Sequence, residues 1–131
     1  MITKYYEISY FGFGFHRKST YLYLGTETGQ VSVWNSGGKL QQTWQAHASG
    51  GVNAIQMSPD FNFVLSGAAE VCIFSLSDKT AQLTCWNTSE VTSLEWIDEE
   101  KFLVAETSGT ITLDRMYRSY FRKVKSKLLE S

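Results

Sequence analysis

The side chains best suited to acid–base chemistry near neutral pH are two histidines, His16 and His47. A histidine assists nucleophilic catalysis when a serine or cysteine and an acid are arranged around it. The spacing around neither histidine indicates such a set. We therefore predict that His47 has a structural role, that the chain has no catalytic residues and that it is not an enzyme.

Cysteines and acidic residues are the other candidates for chemistry. Cys72 and Cys85 are too few for a disulfide framework, and no His/Cys spacing resembles a zinc site. Because both cysteines lie in strand-like segments, we expect two buried thiols rather than a redox pair. The acidic run 98–100 could hold a cation, but three adjacent acids at a turn are usually solvated. No metal or cofactor is predicted.

These residues lie in a chain whose pattern recurs every forty residues. The segment 29–34 (GQVSVW) resembles 69–74 (AEVCIF) and 109–114 (GTITLD). Each copy is a small residue and a polar residue followed by alternating apolar positions. A period of about 40–45 residues built from short strands is typical of a β-propeller blade.

The segments around this motif predict the strands of each blade. They alternate apolar and polar residues, the pattern of half-buried strands, and Gly, Asn, Asp and Ser clusters mark turns between them. We predict three antiparallel units over Tyr10–His47, Gly51–Asn87 and Val91–Leu113. The third unit lacks an obvious fourth strand. Residues 3–9 could be a further strand that completes a neighbouring blade.

Tryptophans recur at similar places in these units and could stack on sugars or bases. Most end strands at repeat-equivalent positions, so we expect them in the core. Trp44 and Trp86 lie on or near the outermost strand. We therefore predict that these two are exposed and bind a partner, as aromatic anchors at interfaces do.

The pattern changes at about Arg115. Tyr117, Phe121, Val124 and Leu128 follow at spacings of four, three and four, which predicts one apolar face of a helix. Residues 115–131 carry a net charge of +5, against −6 for residues 1–114. The predicted organisation is propeller blades over 1–114 and a basic amphipathic C-terminal helix over 115–131.

This basic helix has several interpretations. It could pack on the acidic sheets of its own chain, or dock into a partner through Arg118, Phe121, Arg122 and Lys125. Binding to nucleic acid or to an anionic membrane ranks lower, because the body of the chain is acidic.

The composition is typical of a folded soluble domain. Hydrophobic residues make up 43% and charged residues 19% of the chain, which excludes a disordered polymer. No apolar run approaches the roughly 18–20 residues that cross a bilayer, and the first residues lack the apolar stretch of a signal peptide. We therefore expect no transmembrane segment and a reducing compartment, cytoplasmic or nuclear.

In its motifs the chain resembles the WD-repeat β-propeller family. Val52–Asp60 looks like that family's first strand and turn, Val64–Gly67 like its second strand, and Val31–Asn35 like its third, with Trp-Asn in place of Trp-Asp. Ala46-His47 looks like the Gly-His that precedes a blade. The resemblance covers roughly residues 10–114. It implies an all-β fold, a partial β-propeller of about three four-stranded antiparallel blades.

Blades of this family contain a buried network of a histidine, a serine or threonine, an aspartate and a tryptophan. The resemblance assigns His47, Ser66 and Trp34 to this structural network. In the middle repeat Phe74 replaces the tryptophan, and Ala69-Glu70 stands where the aspartate is expected.

The number of blades bears on function. Closed propellers have about 4–8 blades, and closure protects their edge strands. About three blades therefore predict protein subunits that complete or cap the propeller, or self-association. The predicted function is a non-catalytic scaffold for protein–protein interaction, or a subunit of a larger assembly. The alternative is a homo-oligomeric propeller that binds a small ligand, such as a sugar, between blades.

Overall fold

The fold is a stack of three antiparallel β-sheets, which we call the first, second and third blades. The computed structural model describes residues 8–16, 19–76 and 81–116. Within those ranges, no helix has the length and apolar character that crossing a bilayer requires. In each blade the strands follow one another in chain order, so every connection is a hairpin.

The strand bounds follow the predicted repeat. The first blade contains β1 (Ile8–His16), β2 (Ser19–Thr26), β3 (Gln30–Asn35) and β4 (Leu40–Gln45). The second blade contains β5 (Ala54–Met57), β6 (Phe63–Gly67), β7 (Glu70–Ser75) and β8 (Ala81–Asn87). The third blade contains β9 (Val91–Trp96), β10 (Lys101–Glu106) and β11 (Ile111–Arg115). The all-β architecture and the three antiparallel units predicted from the sequence are confirmed.

Two expectations at the ends of the chain need correction. Ile8 and Ser9 belong to β1, which pairs with β2 inside the first blade, so they are not part of a separate strand over residues 3–9. Arg115 is the last residue of β11 rather than the start of a helix, and Met116 after it is completely buried. Residues 1–7 and 117–131, where the predicted C-terminal helix falls, lie outside the described residues.

Glycine closes the same turn in the first and third blades. Gly29 and Gly109 have φ of 87° and 89°, a left-handed conformation that glycine adopts without a steric penalty. Their backbone N–H groups donate to the carbonyls of Thr26 and Glu106, at 3.1 and 2.9 Å. The motif that gives the repeat its period therefore begins with a residue that the turn requires.

The hydrophobic core lies between the blades. Alternate side chains of each strand point to opposite sheet faces, so each blade presents one face to the blade before it and one to the blade after it. Val31 and Val33 of the first blade pack with Val64 and Phe74 of the second. Across the next interface lie the following residues: Leu65, Val71 and Ile73 from the second blade, and Leu94, Phe102 and Val104 from the third.

A glycine–valine contact fixes the spacing at both interfaces. A Cβ on Gly25 would lie 2.6 Å from Cβ of Val52, the residue two positions before β5. A Cβ on Gly67 would lie 2.6 Å from Cγ1 of Val91, the first residue of β9. Real Cβ atoms do not approach so closely, so each glycine permits the next blade to pack against the end of the strand.

We predict that Gly67→Ala lowers the free energy of unfolding by about 1–3 kcal/mol, the usual cost of adding a methyl group to a packed interior. Chemical denaturation measures this change. Gly37→Ala is the control, because the nearest atom to its added Cβ is the Asn35 side-chain oxygen at 3.4 Å. Equal effects of the two substitutions would contradict the spacing role of Gly67.

Candidate functional site: a buried histidine network and two outer sheet faces

His47 lies in the connection between the first and second blades and is 1% exposed. Its Nε2 lies 2.8 Å from Oγ of Ser66 on β6, and its Nδ1 lies 3.0 Å from Oε1 of Glu70 on β7. Its backbone N–H donates to the carbonyl of Gly29 at 3.0 Å. One residue therefore joins two strands of the second blade, through its ring, to the turn of the first blade, through its backbone.

The partners of His47 determine the roles of its ring nitrogens. A carboxylate only accepts hydrogen bonds, so Nδ1 carries the hydrogen and donates to Glu70. In the neutral ring Nε2 then accepts from the Ser66 hydroxyl. Both nitrogens are occupied in a buried position, which is the arrangement of a structural residue.

The structure brings together two of the three residues assigned to this network. His47 and Ser66 are in contact, whereas Trp34 lies in the first blade, where its Nε1 donates to Oγ of Ser32 at 2.9 Å. Glu70 supplies the carboxylate of the network, at the place where the sequence analysis expected an aspartate. The sequence signal for Glu70 is its place in the forty-residue motif, because it follows the small residue Ala69 and is the first residue of β7.

The two cysteines are joined, so the prediction of two free thiols is wrong. Cys72 on β7 and Cys85 on β8 are directly opposite each other in the register and form a disulfide. The register shifts between Ile73 and Phe74, which lie between this cysteine pair and the turn of the hairpin. Sequence spacing alone does not show such a shift, and without the register the pairing could not be predicted.

Three side chains, one of them a cysteine of this disulfide, have the donor atoms of a metal site. A ring nitrogen of His47, a carboxylate oxygen of Glu70 and Sγ of Cys72 lie within 4.8 Å of one another. The two nitrogens of His47 are engaged in hydrogen bonds, and Cys72 is in the disulfide. The set as it stands therefore offers no free thiolate, which is the form of cysteine that binds metals.

Trp44 and Trp86 lie at the two interfaces between blades. The Trp44 ring centroid is 5.5 Å from that of Phe74 in the second blade. The Trp86 centroid is 6.1 Å from that of Phe102 in the third. Both tryptophans are half-buried, so each uses part of its surface to hold the next blade. The other predicted partner-binding residues lie outside the described part of the chain: Arg118, Phe121, Arg122 and Lys125.

Burial and hydrogen bonding alter the pKa values of several described side chains, of which Tyr23 and Asp98 have the largest shifts. Burial raises the pKa of Tyr23 to about 12, and the nearby Tyr10 and Glu95 add to the shift. Backbone N–H groups of Glu100 and Lys101 donate to Asp98 and lower its carboxyl pKa to about 2. Asp98 thus caps the turn between β9 and β10 with its side chain.

The outer face of the third blade exposes apolar residues that are buried elsewhere in the repeat. Ile111 and Leu113 are 69% and 62% exposed. The residues forty positions earlier, Val71 and Ile73, are 0% and 2% exposed because the third blade covers them. We define this outer face by Leu103, Ala105, Ile111 and Leu113, which the register places side by side.

The outer face of the first blade is the corresponding surface at the other end of the stack. We define it by Leu22, Leu24, Ser32 and Trp34, which pair across β2 and β3. Leu24 and Trp34 are partly exposed. The residues at the same register positions of the second blade, Ser66 for Leu24 and Phe74 for Trp34, are 0% and 2% exposed against the first blade.

Comparisons with known proteins agree with this geometry. Residues 38–83 match the family model of the WD domain, G-beta repeat. This segment is a WD repeat. The predicted resemblance to the WD-repeat β-propeller family is thereby confirmed. Proteins with WD-repeat propellers generally act as scaffolds for protein interactions.

Two solved structures share the fold of this chain. One is the β-propeller domain of Cps50 (Swd1) from Myceliophteria thermophila, with a TM-score of 0.73 and 18% identity over 88% of this chain and 36% of that one. The other is the computationally designed Ika4 protein, with a TM-score of 0.66 and 24% identity over 80% of this chain and 64% of that one. The chain thus spans less than two thirds of either structure.

No curated protein matches the sequence of the chain. The comparisons give no support to the alternative function, a small ligand bound between the blades of a homo-oligomer.

The histidine network leads to a prediction about stability. Ser66→Ala should lower the free energy of unfolding by about 1–3 kcal/mol, because it leaves Nε2 of the buried His47 without its partner. Urea denaturation measures the loss. Ser36→Ala, in an exposed turn, should change stability by less than about 0.5 kcal/mol. An unchanged midpoint for Ser66→Ala would contradict the role of the network.

The disulfide leads to a second prediction. The bond joins residues 13 apart in sequence, and closing a loop of that size contributes about 3 kcal/mol through the entropy of the unfolded chain. A thiol reductant should therefore lower the free energy of unfolding of the wild-type chain by up to about that amount. The variant C72V/C85V should not respond to the reductant. Two free thiols in the untreated chain would contradict the pairing.

Proposed function

We propose that this chain is a non-catalytic scaffold for protein–protein interaction that acts as a subunit of a larger propeller assembly. The observation that carries the proposal is the contrast in exposure between repeat-equivalent residues. Val71 and Ile73 are completely buried between blades, whereas Ile111 and Leu113 at the same repeat positions are mostly exposed. A further sheet packed on the third blade would bury them in the same way.

The energetics of apolar surface support this proposal. Burying an exposed leucine or isoleucine side chain contributes about 1.5–3 kcal/mol, and the outer faces carry several such residues. Soluble monomers rarely expose contiguous apolar patches of this kind unless the patch binds something. Another propeller blade is the partner that suits the outer faces, since the inner faces of this chain already pack against such blades.

The chemistry of the described side chains supports a role without catalysis. His47 is the one histidine whose side chain the structure describes, and both of its nitrogens are engaged in a buried position. The cysteines are joined to each other. Within the described part of the chain, neither a histidine ring nor a cysteine thiol is therefore available to a substrate.

Some parts of the proposal extend beyond the described residues. Partner docking by the basic segment 115–131 stays a prediction. A cytoplasmic or nuclear location also stays a prediction, and the Cys72–Cys85 disulfide counts against it because reducing compartments rarely keep such bonds. Met116 is completely buried between blades, so a test of the basic segment by truncation has to keep this residue and begin at residue 117.

Site-specific photo-cross-linking in the cells that make the protein tests the proposed function. A photo-reactive amino acid in place of Ile111 should give a discrete cross-linked protein product, because this position lies on the outer face of the third blade. The same amino acid in place of Ile97 is the control, since Ile97 is 52% exposed but lies in the turn after β9. Products from both positions alike, or from neither, would contradict an assembly through the outer faces.

A further inference from the structure

We infer that the occupant of each outer face is a second copy of this chain, bound head to tail. The outer face of the third blade of one copy packs on the outer face of the first blade of the other. Two copies then present six blades in one ring, within the range of closed propellers. The inference rests on the proposed function, because it names the partner of the same surfaces.

The first step is that the two outer faces are the two halves of one interface. Inside the chain, Val71 and Ile73 of the second blade pack on the face of the third blade that carries Val104. Val31 and Val33 pack in the same way on the face that carries Val64. The position of Val71 and Ile73 is occupied on the third blade by Ile111 and Leu113. The position of Val64, opposite Phe74, is occupied on the first blade by Leu22, opposite Trp34.

The second step is that the residues at these positions keep the required character. Ile111 and Leu113 are branched aliphatic residues like Val71 and Ile73. Trp34 is a large aromatic residue at the position that corresponds to Phe74, which packs against the first blade. At the positions of Ile111, Leu113 and Trp34, the outer faces thus have the same kinds of side chain as the two interfaces already formed in the chain. The glycine position of those interfaces is occupied on the third blade by Ala105. The described residues contain no counterpart of Trp44 and Trp86 on that blade.

The third step is a match of shape. The outer face of the first blade holds a concave site of about 270 Å³, lined by Thr20, Leu22 and Trp34 with the turn that follows β3. The outer face of the third blade projects Ile111 and Leu113 into solvent. A hollow at one end and projecting aliphatic side chains at the other suit a head-to-tail contact.

The fourth step concerns symmetry. Each copy has one face of each kind, so a head-to-tail pair related by a two-fold axis forms the same interface twice. Both outer faces of both copies are then covered. A single head-to-tail contact would leave two outer faces in water, so the closed pair buries twice the apolar surface of the open one.

Measurement of the solution mass of the 131-residue chain tests the inference. Sedimentation equilibrium should give twice the 14.9 kDa of one chain. Leu113→Lys alone, or Leu24→Lys alone, should reduce the mass to that of one chain, because each substitution affects both interfaces of the closed pair. Ile97→Lys, at an exposed apolar residue outside the faces, should leave the pair intact.

Mixing the two variants gives the decisive result. The Leu113→Lys chain keeps an unaltered first blade, and the Leu24→Lys chain keeps an unaltered third blade. Their equimolar mixture should form a two-chain species through one unaltered interface, although each alone is a single chain. This complementation also shows that both variants are folded, since an unfolded chain offers no face to bind.

Three results would overturn the inference: a wild-type chain that stays monomeric at high concentration, a polymer larger than two copies, or variants that do not complement each other. The proposed function would survive such a result if the cross-link at position 111 joins the chain to a different protein. A cross-link to a second copy supports the proposed function and this inference. The absence of any cross-link at position 111 would contradict the proposed function itself.

Discussion

The packing of one sheet face on the next is the constraint on which this structure depends. A blade is a single layer with apolar side chains on both faces, and such a layer cannot exclude water by itself. The second blade is the one whose two faces are both covered, and most of the completely buried residues belong to it or face it. The hairpins, the glycine–valine contacts and the inter-blade tryptophans all act on this packing.

The sequence predicts the blades well because strand, turn and period are local properties. The alternation around Val31 and Val71 specifies which residues face a neighbour, and Gly29 and Gly109 fix the turns. The disulfide could not be predicted, because pairing of Cys72 with Cys85 depends on a shift of register inside one hairpin. The exposure of the tryptophans was also beyond sequence reasoning, since a strand at the edge of its own sheet can still be covered by the next one.

The histidine network shows how a blade can depart from the usual residues and keep its connection. Glu70 occupies the place of an aspartate and, with its longer side chain, still reaches Nδ1 of His47. Phe74 replaces a tryptophan and contributes apolar area instead, against Trp44 of the first blade. The residues that connect two blades can therefore change individually while the packing geometry between the blades persists. The loss of a tryptophan indole is compensated by packing, because the same position faces the preceding sheet.

The forty-residue equivalence of the two outer faces has a consequence for how such chains change in length during evolution. Whichever blade is last presents the positions of Ile111 and Leu113, and whichever is first presents those of Leu24 and Trp34. Duplication or loss of one whole repeat by recombination then leaves the terminal surfaces with the same chemistry. A chain of this kind with one blade more or one blade fewer would therefore need no new binding surface at either end.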